Sequence, residues 1–328
     1  MTKYSNYYGI DVSKLTLDIV NQKGEHLQVP NNEKGFKKLH KILPKDSLCI
    51  MEVTGVYHIQ LALFLYSKEI PLSVVNPLKI KRFIQMHLQR NKTDKSDAKM
   101  ICLYGQTQQV ELWEPNDPIL EECKDIYAAM DHYIDIRAGL KRKIDSLNSK
   151  KAFNFLIKNI EKQILSLDSA IEELEKTLIE KVKSYDSALL TNIKSIKGIG
   201  ERTAILLMIF TNGFKNFESS KQLSSYFGLA PTQTSSGISI NKVERISKMG
   251  NPLVRKKLYM CSLQASVSNK ACRDLFQRIV AKGKPKKVAL VAVANKLLKI
   301  AFAISKSGLP YDPYYKSVKI EKSILKTR

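Results

Sequence analysis

Cysteine is scarce and scattered in this 328-residue chain. The five cysteines (Cys49, Cys102, Cys123, Cys261, Cys272) are odd in number and widely spaced, and no Cys-x-x-Cys occurs. A disulfide framework and a zinc ribbon are therefore excluded, and reduced thiols in a cytoplasmic protein are expected. The five histidines form no metal-spaced cluster. The first residues, Met-Thr-Lys-Tyr-Ser-Asn-Tyr-Tyr, lack the apolar run of a signal peptide. The most apolar late stretch, Val288 to Ile304, is interrupted by Asn295, Lys296 and Lys299. A bilayer span needs about 20 apolar residues, so this stretch reads as a buried helix and no membrane partner is expected. Acidic side chains are the other deficit, 31 against 54 Lys plus Arg, for a net charge of +23. The imbalance is uneven: residues 1–100 carry +7, residues 101–200 carry −2 and residues 201–328 carry +18. A polyanion is the natural partner of the last third, and an acidic membrane surface is the rival reading.

What is present is enough for a core, since 44% of residues are hydrophobic, and the length suits two or three domains. The first hundred residues alternate strand and helix. Tyr7 to Val20 reads as two strands, His26 to Val29 as a third, Ser47 to Val53 and Leu72 to Val75 as short buried ones. Helical spacing falls at Asn32–Leu43, Tyr57–Tyr66, Lys79–Leu88 and Ser96–Tyr104. This alternation predicts an α/β sheet with some parallel pairing.

Four carboxylates occupy informative places in that pattern. Asp11 lies inside an apolar strand between Ile10 and Val12, where a charge is costly without a compensating partner. Glu52 ends a second buried strand, and Asp94 and Asp97 sit three apart at a helix start. Converging carboxylates repel one another, and a hard divalent ion such as Mg²⁺ or Mn²⁺ relieves the repulsion. Two such ions could polarise a phosphodiester and activate a nucleophile. The bland alternatives are a helix N-cap at Asp94, a dipole-facing charge at Asp97 and a lysine pair at Glu52.

Pro115 and Pro118 mark a boundary. Beyond it Ile157, Ile160, Ile164, Leu167, Ile171, Leu174 and Leu178 follow 3-4-3-4 spacing, the seam of a coiled coil. Such a segment is either a helical hairpin or dimerisation arm, or an ordinary helix packed on its own domain. The last third carries two nucleic-acid signals. Gly198-Ile199-Gly200 between helical segments reads as a helix-hairpin-helix turn whose amides approach phosphate. The second is Ser235-Ser236-Gly237, a hydroxyl-rich flexible loop among Lys242, Arg245, Lys248, Arg255, Lys256 and Lys257. A serine in a cationic setting could attack phosphorus, and no local His or Asp suggests a hydrolase triad. Lys282, Lys284, Lys286 and Lys287 add a further basic run, either a solvated face or a phosphate contact.

Together these motifs resemble one family. Gly9-Ile10-Asp11-Val12-Ser13-Lys14, Met51-Glu52-Val53-Thr54-Gly55-Val56-Tyr57 and Lys92-Thr93-Asp94-Lys95-Ser96-Asp97-Ala98 look like the RuvC-like DEDD domain of the bacterial "IS one-ten" transposases, a family that includes Piv-type invertases. Gly198-Ile199-Gly200, Gly228-Leu229-Ala230-Pro231, Ser236-Gly237 and Ser247-Lys248-Met249-Gly250-Asn251-Pro252-Leu253-Val254-Arg255 look like its C-terminal transposase domain. The match runs from about residue 7 to about residue 312, with the motifs in the expected order. The resemblance implies an RNase H/RuvC-like α/β domain over 1–115, a coiled-coil linker and dimerisation segment over 116–190, and a mostly α transposase domain over 191–328. It further implies a DNA recombinase guided by a structured bridge RNA, acting as a dimer or tetramer in the cytoplasm. Asp11, Glu52, Asp94 and Asp97 would hold Mg²⁺, and Ser236, with Ser235 as its neighbour, would be the nucleophile. The metal site of one subunit would complete the serine site of another. Donor and target DNA are the implied substrates. A metal-dependent junction nuclease using water, and a non-catalytic architectural DNA-binding protein, are the competing functions.

Overall fold

The computed structural model describes residues 4–88, 93–150, 154–232, 245–247 and 249–315, and the backbone alone of 235–236 and 240–241. The chain divides into two compact units, Met1–Pro115 and Asn116–Arg328.

The first unit is a five-stranded mixed sheet between two helical layers. Strands β1 (Asn6–Val12), β2 (Thr16–Asn21) and β3 (His26–Pro30) form an antiparallel meander, and β4 (Ser47–Glu52) and β5 (Leu72–Val75) extend it in parallel, in the order β3-β2-β1-β4-β5. Helices α1 (Glu33–Ile42), α2 (Ile59–Ser67), α3 (Pro77–Met86) and α4 (Asp94–Thr107) supply the connections and cover the faces. Side chains of a strand alternate between faces. Ile10, Val12, Cys49 and Met51 accordingly share a core with Phe36 and Leu39 of α1 and Leu61 and Leu65 of α2. Tyr7, Leu48 and Ile50 share the opposite one with Ile80 of α3 and Ile101 and Cys102 of α4. Each strand expected from the sequence is present. The boundaries differ by a residue or two, as capping dictates: Asn32 caps α1 through Gly35 N–H, and Asn76 with Pro77 starts α3 ahead of the spacing signal.

Gly9 fixes how α4 sits. A Cβ there would lie 2.1 Å from the Ala98 carbonyl oxygen and 2.2 Å from the Cys102 nitrogen, so the helix backbone rests directly on β1. Cys102 Sγ donates to the Tyr7 carbonyl at 3.3 Å.

The second unit is mostly helical. A long hairpin of α5 (Pro118–Ser149) and α6 (Asn154–Lys194) leads to α7 (Glu201–Phe210) and α8 (Ser220–Tyr226). Two short ladders follow, β6 (Pro231–Thr232) with β9 (Arg245–Ile246) and β7 (Ser235–Ser236) with β8 (Ile240–Asn241), both antiparallel. Helices α9 (Pro252–Ser268), α10 (Lys270–Ala281) and α11 (Lys286–Ser307) complete it. Residues 116–190 and 191–328 fall within the one second unit. The base of the hairpin shares one core with the C-terminal helices: Leu120, Tyr127 and Leu178 are buried in the cluster that holds Phe214, Phe227, Leu258 and Leu297. The seven seam residues are all buried or half-buried, and α6 packs along α5. By length and composition α11 would suffice to cross a bilayer, contrary to the sequence expectation, yet half of its apolar window is buried within the unit.

The Gly9 contact gives a test. Gly9→Ala forces a methyl into backbone, an overpacking cost of about 1–3 kcal/mol. Trp113, the only tryptophan, packs on the core of the first unit beside Tyr66 and reports on that unit alone. Its fluorescence should show a lower urea midpoint for Gly9→Ala; an unchanged midpoint would mean that α4 does not rest on β1.

Candidate functional site

Register and helix packing gather the first-unit carboxylates. Ile10 of β1 pairs with Met51 of β4 in parallel register, so the next residues, Asp11 and Glu52, project on the same face. That is the face α4 covers. Because Gly9 meets Ala98 and Cys102, two residues along β1 and one turn back along α4 lead to Asp11 on the strand and to Asp94 and Asp97 on the helix. Thr93 caps α4, its hydroxyl accepting from Ser96 N–H at 3.1 Å while Ser96 Oγ accepts from Thr93 N–H at 2.9 Å. Asp94 is thus not the N-cap. Both aspartates lie in the first turn, where the helix dipole favours negative charge.

The electrostatics reflect this gathering. Burial, followed by repulsion from Asp94, Asp97 and Asp18, pushes the Asp11 carboxyl up to about 6, opposed only by a hydrogen bond from Val12 N–H. Among the described residues, no cation acts on it. Among the described residues, no three His, Cys, Asp or Glu side chains are positioned closely enough to hold a metal ion. The donor set nonetheless consists of carboxylate oxygens that repel one another, the chemistry a hard divalent cation satisfies. The aspartates and Glu52 therefore suit such an ion by charge and donor type.

Asp18 is the residue that sequence reasoning missed. It is the cross-strand partner of Asp11 on β2 and only 4% exposed. His26 Nε2 lies 2.8 Å from Asp18 Oδ1, and Gln28 Nε2 donates to both carboxylate oxygens at 3.1 and 3.2 Å. The signal was available, since Asp18 stands between Leu17 and Ile19 as Asp11 stands between Ile10 and Val12.

In the second unit the motif residues build a clamp beneath the serine segment. Gly228 (φ +68°) and Gly250 (φ +126°) cross so tightly that a Cβ on either would strike backbone, Met249 O at 2.3 Å or Tyr226 O at 2.1 Å. Arg255 closes the crossing by donating to Phe227 O at 3.0 Å and Gly250 O at 2.9 Å. Asn251 caps α9, accepting from Leu253 and Val254 N–H, with Pro252 in the first turn. From this clamp the β6–β9 ladder emerges, with Thr232 Oγ1 donating to Arg245 O at 2.8 Å. Ser235 and Ser236 were expected in a flexible loop, but their backbone is a strand, with Ser236 opposite Ile240. β-branched Ile238 and Ile240 alternating with small hydroxyl residues favour that pairing. The side chains of Ser235 and Ser236, and Gly237, Lys242, Lys248 and Lys92, lie outside the described residues.

The other expected contacts separate into occupied and open groups. Arg255 is engaged by backbone carbonyls, and Lys257 pairs with Asp131 at 2.9 Å. Arg245, Lys256, Lys282, Lys284, Lys286 and Lys287 are exposed. Gly198 and Gly200 do stand between α6 and α7, but a Cβ at Gly198 (φ +104°) would meet the Ala265 Cβ at 2.6 Å. Its first duty is close packing on α9, while Gly200 is exposed as the N-cap of α7.

Comparison with known proteins follows the same two-part division. A DEDD transposase family pattern matches residues 8–148, and the pattern described as "Transposase IS116/IS110/IS902 family" matches residues 190–277. The pilin gene-inverting proteins of Moraxella lacunata and Moraxella bovis are each 30% identical over 318 residues, 93% of this chain and 97% of theirs. The transposase for insertion sequence element IS1111A of Coxiella burnetii is 26% identical over 272 residues, 72% of this chain and 71% of its own. Among solved structures, T. thermophilus RuvC in complex with a Holliday junction substrate aligns at 12% identity and a TM-score of 0.25, over 33% of this chain and 99% of that one. With its carboxylate-bearing first unit and its clamped serine motif in the second, the chain belongs to the IS116/IS110/IS902 transposase family and is an enzyme that acts on DNA.

Proposed function

We propose that this protein is a DNA recombinase that cuts and rejoins strands through the Ser236 hydroxyl, assisted by a divalent cation at Asp11, Glu52, Asp94 and Asp97. The observation that carries the metal half is the Asp11 carboxyl, raised to about 6 by burial and by Asp94, Asp97 and Asp18, with no cation among the described residues acting on it. Mg²⁺, or Mn²⁺ in its place, would supply positive charge at a phosphoryl oxygen and relieve the repulsion among its ligands. The serine half is supported by the position of Ser236 directly before Gly237 and by its place in a short ladder between the segments that Arg255 ties together.

The chemistry is a pair of transesterifications. Ser236 Oγ attacks phosphorus and loses its proton, and the 3′-oxygen leaves and is protonated to a free hydroxyl. The DNA 5′-phosphate is then esterified to serine. A 3′-hydroxyl from a second strand attacks that phosphorus, and the serine hydroxyl is restored. Because two esters exchange, no external energy source is needed. The cations available to the phosphate are the exposed Arg245 and Lys256, with Lys242 and Lys248 in the adjoining sequence, rather than Arg255. Arg255→Ala would therefore act by loosening the ribbon. A structured guide RNA and a dimeric or larger assembly, in which one subunit completes another's site, belong to the same reading. The basic surplus of the last third supports a polyanionic partner.

Two outcomes test the chemistry. Asp11→Asn and Ser236→Ala should each abolish strand exchange, by more than about a hundredfold, with DNA affinity retained. Denaturing gels of native protein on a nicked substrate should trap a protein–DNA adduct that Ser236→Ala cannot form. Recombination by Ser236→Ala at the native rate would instead favour a water nucleophile.

A third concerns pH. Folded Asp11 holds its proton up to about 6, whereas an unfolded aspartate releases it near ~3.9. The folded state binds more protons between those values, so this group costs stability as pH rises through the window, fully so above it. In chelator, Asp11→Asn should melt higher than the native protein at pH 7.5 and equally at pH 3.5. Added Mg²⁺ should raise the native melting temperature more than that of the variant. A variant no more stable at pH 7.5 would contradict the site's electrostatics.

A further inference from the structure

The α5–α6 hairpin is polarised in charge along its length. Its base, residues 117–140 and 163–190, has twelve acidic and five basic side chains. Its described tip, residues 141–150 and 154–162, has six basic and two acidic ones. The −2 net charge of the middle third hides this division. The centres of the two regions, near residues 128 and 146, are about 27 Å apart at 1.5 Å per residue. That is several times the screening length of about 8 Å at physiological salt, so the tip presents its own positive field.

Ion pairing differs in the same way. At the base, Glu121 pairs with Lys124, Glu122 with Lys181, Asp131 with Lys257, Asp168 with Arg137 and Glu175 with Arg202. At the tip, Lys141, Arg142, Lys143, Lys150, Lys158 and Lys162 are all exposed, and none makes an ion pair among the described residues. Asp145 and Glu161 are close in sequence yet pair with none of them.

We infer that the hairpin tip is a binding surface for the phosphate backbone of duplex DNA, separate from the carboxylate site and the serine ribbon. DNA is the polyanion that the family's activity brings to the protein, and the inference rests on that activity alone, not on the serine chemistry or a guide RNA. Lys141 to Lys150 span about 13 Å of helix axis. At one charge per ~1.7 Å, a parallel stretch of duplex offers about eight phosphates. Backbone contact of this kind positions the duplex without reading its sequence.

The test replaces Arg142, Lys143, Lys158 and Lys162 together with Gln, which keeps length and helix propensity while removing charge. Affinity of the full chain for a 60-base-pair DNA of unrelated sequence is measured between about 50 and 200 mM salt. Each lost phosphate contact lowers the slope of log affinity against log salt by about 0.9, so a decrease of about 2–4 is expected. Circular dichroism checks the fold, and a second variant with Arg142→Lys and Lys143→Arg, Lys158→Arg and Lys162→Arg should keep the native slope. A quadruple Gln variant with the native slope on DNA overturns the proposal, as does one whose slope falls only on duplex RNA.

Discussion

The contact on which the carboxylate site depends is the seat of α4 on β1 at Gly9. Without a side chain there, the helix backbone approaches the strand to a distance no other residue would permit. That approach sets the height and register of the first turn of α4, and hence the place of Asp94 and Asp97 relative to Asp11. The parallel pairing of β1 with β4 adds Glu52 to the same face. A site of like charges is thus assembled by apolar packing on either side of it, with Ile101 and Cys102 below and the Thr93–Ser96 capping box above. Asp18 increases the charge, held by His26 and Gln28 on the neighbouring strand β3.

A different device serves the second unit. The Gly-Leu-Ala-Pro and Met-Gly-Asn-Pro segments are read most simply as the two sides of one crossing, where backbone meets backbone and Arg255 ties both. Their chemistry is architectural. They hold the start and end of the ribbon that carries the backbone of Ser236, on a base fixed by Asn251, Pro252 and the α9 helix.

Much of this was legible in the sequence because the relevant signals are local. Short apolar and β-branched runs bounded by turn residues located β1 to β5, and helical spacing located α1 to α4, though not the start of α3 at Asn76-Pro77. Asp11 stood out because charge inside an apolar strand is costly, Glu52 because it ends a buried strand, and Asp94 and Asp97 because they sit three apart at a helix start. What was not legible depended on pairing between distant segments. Asp18 stands in an apolar run as Asp11 does, but its link to the site comes from the register that places it opposite Asp11. Arg255 reads as a phosphate ligand until its carbonyl partners are known, and Gly198 as a phosphate turn until Ala265 fills the space beside it. The hydrophobic seam of α6 was plain, but not that its base shares one core with the C-terminal helices. Nor did summing charge over the middle third reveal that the hairpin divides it into an acidic base and a basic tip.

The most direct test of the account is the ionisation of Asp11 itself, followed by carboxyl carbon NMR in the metal-free protein. The account predicts a midpoint near pH 6, falling toward the ordinary aspartate range when Asp94 and Asp97 are both replaced by Asn. A midpoint near ~4 in the native protein, unmoved by those replacements, would show that the carboxylates do not converge.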